Sequence, residues 1–175
     1  MTTKLHPLYR GRIIQLYLEN VMLPNGHTAE LEIVHHPGGV AVLAEDAEGR
    51  LCLIRQYRLA IGGWLWEFPA GKREGGEAAE VTARRELLEE VGVEAADWHK
   101  LGQLIPSPGI LTEVVHLYHA RDLKQQTHAH EAEEVIEIHW FSLQAIEDMV
   151  GQGLIVDAKT LGGLYLLKAK QHSDN

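Results

Sequence analysis

The chain predicts an α/β fold: a mixed β-sheet covered by helices on both faces, preceded by an antiparallel β-hairpin. Strand-like runs stand before, between and after two or three helical stretches, the signature of a sheet layered with helices. The length of 175 residues and a hydrophobic share of 45% suit one domain with a sizeable core and a small appendage. Near the N-terminus, Asn25-Gly26 sits between two runs of alternating polarity, a strong hairpin signal.

Residues 11–19 and 28–34 are the arms of that hairpin. No helix nearby covers them, so residues 1–37 read as a segment apart from a main domain at 38–175, and a second copy of the chain is a natural cover. Two further strands, 40–44 and 50–57, are joined by an acidic, Gly-ended turn. Residues 59–76, rich in Gly and Trp, read as loop with a short strand at 65–68. A helix then runs from about Glu77 to Val91 and stops at Gly92. Strands follow near 98–105, 113–120 and 135–141. Ser142 N-caps a helix to about residue 150. A last helix, near 157–171, carries Leu161, Leu164, Tyr165 and Leu167 as its apolar set, with Lys168 beside them.

The formal net charge of −9 argues against a nucleic-acid partner, because polyanion affinity needs clustered Lys and Arg. The single cysteine, Cys52, lies in the apolar run Leu51-Cys52-Leu53-Ile54; it has no partner for an internal disulfide and reads as a small core hydrophobe. No signal peptide is evident, and no segment approaches the roughly 18 apolar residues of a membrane span. The expectation is a cytoplasmic protein without membrane attachment. Of the 11 histidines, neither His35-His36 nor His128 with His130 has the spacing of a closed zinc site.

The informative stretch runs from Gly71 to Val93. With Leu87 at 0° on a helix turning about 100° per residue, Ala83, Val91 and Leu88 make one apolar face. Glu90, Glu86 and Glu89 fall in a contiguous sector beside it, at about −60°, −100° and −160°. Like charges at i,i+4 cost about 0.2–0.5 kcal/mol each when solvated. A plain acidic surface would accept that cost, but a carboxylate cluster at the edge of a core suits a hard divalent cation, and Mg²⁺ commonly bridges protein carboxylates to substrate phosphates. Arg85 stands among the acids, and Gly71 with Gly75-Gly76 permits a tight loop into the helix, where Glu77 meets the positive end of the macrodipole.

These residues resemble the Nudix box: Gly71, Glu77, Arg85, Glu86, Leu87, Glu89, Glu90, Gly92 and Val93 fill each of its fixed positions. The resemblance implies a Nudix-type α/β/α sandwich and a hydrolase of nucleoside diphosphates linked to some other group. It also implies that Glu86, Glu89 and Glu90, joined by the backbone carbonyl of Ala70, bind Mg²⁺ with Mn²⁺ as a substitute. Arg85 and Glu77 would then support the loop and orient the ligands.

Outside the box the chain is similar to the ADP-ribose pyrophosphatase subgroup over roughly residues 8–170. Pro108, in Ser107-Pro108-Gly109, stands fifteen residues beyond Val93, as in that subgroup, and Arg55-Gln56-Tyr57-Arg58 resembles its Arg-Gln-Tyr-Arg strand. The resemblance makes Arg58 the residue that grips a phosphate, with Arg55 as a second candidate or a surface contact. Glu67, in Trp66-Glu67-Phe68-Pro69-Ala70, is a candidate for a polar substrate contact, against a structural role. The subgroup's catalytic carboxylate lies on an acidic loop, and here Ala132 stands where one of its acids is often found. Glu134 or Glu133 is then the expected general base, with Glu131 as a further alternative. The expected substrate is a nucleotide sugar, ADP-ribose first, with GDP-mannose or another nucleotide sugar as the alternative and a non-catalytic ligand sensor as a more distant one. The resemblance further implies a homodimer built through residues 8–34.

Overall fold

The computed structural model describes residues 4–126 and 135–173. Two compact units are present: residues up to Gly38 together with Ile105–Val114, and Gly39–Leu104 together with the described residues from Val115 onward.

The first unit is an antiparallel three-stranded sheet in the order β1-β2-β3, formed by β1 (Lys4–Arg10), β2 (Gln15–Met22) and β3 (Thr28–His35). The hairpin read from the sequence is β2–β3, in register from Gln15 opposite His35 to Met22 opposite Thr28. Its turn closes with Gly26 N–H donating to the Leu23 carbonyl at 2.9 Å, and Gly26 takes a φ of 82°, which explains the glycine. The sequence did not show β1. Proline cannot donate to a ladder, and Pro7 sits at an irregularity where the β1–β2 register shifts. Segment 105–114 joins this unit through a parallel bridge of Leu111 to Val34 and a hydrogen bond from His36 N–H to Thr112 Oγ1 at 3.0 Å.

The second unit has two sheets. One is mixed, in the order β7-β4-β9-β8: β4 (Gly39–Ala44) runs parallel to β9 (Val115–Gln125) and antiparallel to β7 (Ala70–Lys72), and β8 (Val93–Leu104) pairs antiparallel with β9. The other is antiparallel, β10-β5-β6, from β10 (Ile136–Ser142), β5 (Arg50–Arg58) and β6 (Gly63–Glu67). Side chains alternate across a strand, so β4 and β5 feed two cores at once. Ala41, Leu43, Leu51 and Leu53 join Ile146 of α2 (Leu143–Gly151) and Leu164 and Leu167 of α3 (Ala158–Ser173). Val40, Val42, Cys52 and Ile54 join Ala83, Leu87 and Val91 of α1 (Ala79–Val91). The result is a sheet layer with helices on both faces, and Cys52 is a core residue, as its apolar run predicts.

Three local readings change. The box helix starts at Ala79 rather than Glu77, without a side-chain cap at Ala78. Strand β8 begins at Val93, immediately after Gly92, whose left-handed φ of 73° and bond to the Leu88 carbonyl end the helix abruptly. On α3 the inward face is Thr160, Leu164 and Leu167, while Tyr165 is 72% exposed and Leu161 also faces outward. The register of α3 is fixed at its start, where Asp157 accepts from Thr160 N–H at 2.9 Å and Phe68 N–H donates to Thr160 Oγ1 at 3.0 Å. Ser142 caps α2 as predicted, its hydroxyl accepting from Ala145 N–H at 3.2 Å.

Leu87 has no solvent exposure and anchors α1 on the sheet. Truncating it to alanine should cost about 2–5 kcal/mol in urea unfolding; a loss below about 1 kcal/mol would show that α1 is not held by this face.

Candidate active site

The site is assembled around the segment from Glu67 to Lys72, which passes between the acidic side of α1 and the start of α3. On the α1 side, Glu90 is 1% and Glu86 7% exposed, a degree of burial that carboxylates reach only with partners. Ala70 N–H donates to Glu90 Oε2 at 2.7 Å. The Glu86 carboxylate lies against Gly71 so closely that a Cβ built there would meet its carbon at 1.9 Å and its oxygens at 2.0 and 2.3 Å. Gly71 is therefore glycine because the carboxylate occupies the space a side chain would take.

Arg85 holds the acids in place. Its Nη1 lies 2.9 Å from Glu86 Oε1 and 2.8 Å from Glu89 Oε2, and its Nη2 lies 3.1 Å from Glu77 Oε1 and donates to the Lys72 carbonyl at 3.2 Å. Burial works against the charged guanidinium, but Glu86, Glu77 and Glu89 outweigh it and raise its pKa further. The loop between β7 and α1 closes on itself. Gly75 and Gly76 take φ of 53° and 78°, Glu77 Oε1 accepts from Glu74 N–H at 3.1 Å, and Arg73 donates to the Glu77 carbonyl at 2.6 and 3.1 Å. Glu77 thus acts as a loop clamp, two residues ahead of the helix, rather than as a residue of its first turn.

Arg85 is shared among three carboxylates here, and the acids clustered beside Ala70 and Gly71 suit a cation. All the side-chain donors are oxygens, the set that Mg²⁺ or Mn²⁺ prefers. Among the described residues no group of three or more His, Cys, Asp or Glu converges tightly enough to hold a metal alone. Arg85 holds Glu86 and Glu89 in fixed directions, and these oxygen donors fit a hard divalent ion that would share them with water.

On the other side of the segment, Glu67 is wholly buried and accepts from Arg58 Nε at 2.7 Å and Nη2 at 2.8 Å, and from the Lys159 ammonium. Lys159 also donates to Asp157 Oδ1 at 2.9 Å. Burial pushes the Glu67 carboxyl upward, but the Arg58 hydrogen bonds and the charges of Lys159 and Arg58 overcome it and hold the group below the usual glutamate range. The same pairing with Glu67 raises the Arg58 pKa against burial, with Glu90 adding a smaller contribution.

Of the residues singled out in the sequence, Arg85, Glu86, Glu89, Glu90 and Ala70 come together, and Arg58 joins Glu67. Arg55 lies elsewhere, with its guanidinium 5.2 Å from the Trp64 ring centre, 5.8 Å from that of Trp66 and 3.4 Å from Glu137. Pro108 belongs to the first unit. Glu131, Glu133 and Glu134 lie outside the described residues. Sequence reasoning missed Asp157, Lys159 and Thr160; the available signal was Asp157 followed three residues on by Thr160 at the head of a helix.

The NUDIX domain model matches residues 35–159. The chain belongs to the NUDIX family. An ADP-ribose pyrophosphatase of Bacillus subtilis is 37% identical over 166 residues, spanning 94% of this chain and 90% of that protein. An ADP-ribose pyrophosphatase of Mycobacterium tuberculosis is 35% identical, spanning 93% of this chain and 80% of that one. The NUDIX architecture is also that of a solved ADP compounds hydrolase, which superposes with a TM-score of 0.83 at 22% identity over 98% of this chain and 94% of that chain.

Two outcomes follow from this NUDIX site. Gly71→Ala should displace the Glu86 carboxylate by an ångström or more and lower turnover by about a hundredfold, with the fold retained by circular dichroism; activity near wild type would mean that the Glu86 position is immaterial. Glu67 has a folded pKa below its ordinary 4.5, so its contribution to stability is complete above that pH and is lost as pH falls through the lower folded value. Glu67→Gln should cost about 3–5 kcal/mol near neutrality, and the gap to wild type should narrow below pH 4.5; a gap constant across that range would contradict the ion-pair reading.

Proposed function

We propose that this NUDIX protein hydrolyses the pyrophosphate bond of a nucleoside diphosphate sugar, with ADP-ribose as substrate and AMP and ribose 5-phosphate as products. The observation that carries the reading is the placement of Glu86 and Glu90, buried against the backbone of Ala70 and Gly71. Its choice of substrate rests on the Arg-Gln-Tyr-Arg strand, on Pro108, and on the two ADP-ribose pyrophosphatases to which the chain is similar over most of its length.

Glu86, Glu89, Glu90 and the Ala70 carbonyl would hold Mg²⁺, or Mn²⁺ in its place. When bound, the metal polarises the diphosphate and acidifies an attacking water. The residues supply the rest. Arg85 fixes the directions from which Glu86 and Glu89 approach, because a planar guanidinium with several donors admits few arrangements. Arg58 offers its remaining N–H groups to phosphate oxygens, offsetting charge that develops as the bond breaks. Glu134 or Glu133 accepts the proton of the attacking water.

We further read the protein as a cytoplasmic homodimer. Among the described residues no helix is long and apolar enough to cross a membrane. The β1-β2-β3 sheet leaves Leu5, Leu8, Tyr9, Met22 and Leu31 exposed, apolar surface that a second copy would cover.

Replacing Glu90 with glutamine removes a carboxylate charge while leaving its shape. Hydrolysis of ADP-ribose in Mg²⁺, followed by release of AMP, should fall by at least about a hundredfold, with thermal unfolding little changed. Full activity in that variant would sink the reading, and an assay panel including GDP-mannose separates this substrate from its rivals.

A further inference from the structure

We propose that Lys159 is a positioning residue for the diphosphate of the substrate, acting through Glu67 and Arg58; this rests on the hydrolase reading above. In a bidentate pair the guanidinium is placed only as firmly as the carboxylate that holds it. Here the buried Glu67 carboxylate receives two cations, Arg58 through Nε and Nη2 and Lys159 through its ammonium. With Asp157 beside Lys159, two cations face two carboxylates and the cluster is neutral overall; what Lys159 adds is a second anchor on Glu67 Oε2, the oxygen that also accepts from Arg58 Nη2. Arg58 is thereby fixed in place with one edge not bonded to Glu67.

That edge is available. Of the five N–H donors of a guanidinium, the two directed at Glu67 leave the Nη1 group for another acceptor, and the Arg58 side chain is 38% exposed. Glu90 acts electrostatically on Arg58, so the guanidinium lies within range of the acid side of α1.

Lys159 itself does not reach outward. Its side chain is 18% exposed and is tied at both ends of its reach, to Glu67 and to Asp157 Oδ1 at 2.9 Å. Asp157 is in turn fixed by Thr160 through N–H at 2.9 Å and Oγ1 at 2.6 Å, and Thr160 Oγ1 accepts from Phe68 N–H. The head of α3 is therefore built to deliver an ammonium to Glu67. A plain staple between α3 and the strand would need only the Thr160 to Phe68 bond.

The test is steady-state hydrolysis of ADP-ribose at saturating Mg²⁺ by wild type, Lys159→Met, Lys159→Arg and, as a control remote from the site, Lys168→Met. Losing one charged hydrogen-bond partner should raise KM about tenfold in Lys159→Met, with kcat changed by less than about threefold and the Mg²⁺ dependence unaltered. Lys159→Arg should restore most of the affinity, and Lys168→Met should match wild type. If Lys159→Met does not fold, Asp157→Asn, which frees the ammonium without removing it, should show the same rise in KM to a smaller extent. A wild-type KM in either variant overturns the proposal, as does a loss of kcat and thermal stability that arginine does not rescue. If the wild type turns over no nucleoside diphosphate sugar, the hydrolase reading falls first, and that failure is separate from a Lys159 variant behaving as wild type.

Discussion

Three buried carboxylates flanking the segment from Glu67 to Lys72 govern this structure. Glu67, Glu86 and Glu90 are each less than 10% exposed, in a chain already carrying a net charge of −9. A buried carboxylate is tolerated only when hydrogen bonds and opposite charge replace the water it loses. The segment from Glu67 to Lys72 meets that demand. It offers its backbone N–H at Ala70 to Glu90, its missing side chain at Gly71 to Glu86, and its own Glu67 to two cations. The α1 acids lie on one side of it and the head of α3 on the other.

The two sides solve the same problem differently, and the difference has chemical consequences. Glu67 is supplied with cations from the protein, and its neighbours hold it ionised below the usual glutamate range. At the α1 acids a single guanidinium, Arg85, is divided among Glu77, Glu86 and Glu89. Arg58 and Lys159 both bond to Glu67, whereas the α1 acids share Arg85, with Lys72 acting on Glu86 through its charge. Under the proposed function, Glu86, Glu89 and Glu90 would hold a hard divalent cation that helps to bind an anionic diphosphate.

Much of this was legible in the sequence because it is local. The 3.6-residue period places Ala83, Leu87 and Val91 inward and Glu86 and Glu90 at their border, and Gly92 marks the end of α1, where its left-handed φ is required. What escaped was either short, interrupted or distant. Strand β7 has three residues, too few for any period, and β1 contains Pro7. The pairing of Lys159 with Glu67 spans 92 residues. No local pattern shows such a contact. The outward turn of Leu161 and Tyr165 has the same origin: the register of α3 is set by the bond between Thr160 and Phe68, which outweighs the apolar pattern of the helix.

The account rests on the acids of α1 binding a divalent cation, and titration of the wild-type protein with Mn²⁺, followed by the loss of free-ion electron paramagnetic resonance signal, tests this directly. Saturable binding at or below millimolar Mn²⁺, displaced by Mg²⁺ and tightened by a non-hydrolysable ADP-ribose analogue, is the predicted result. A signal that stays at the free-ion level throughout, with and without the analogue, would contradict it.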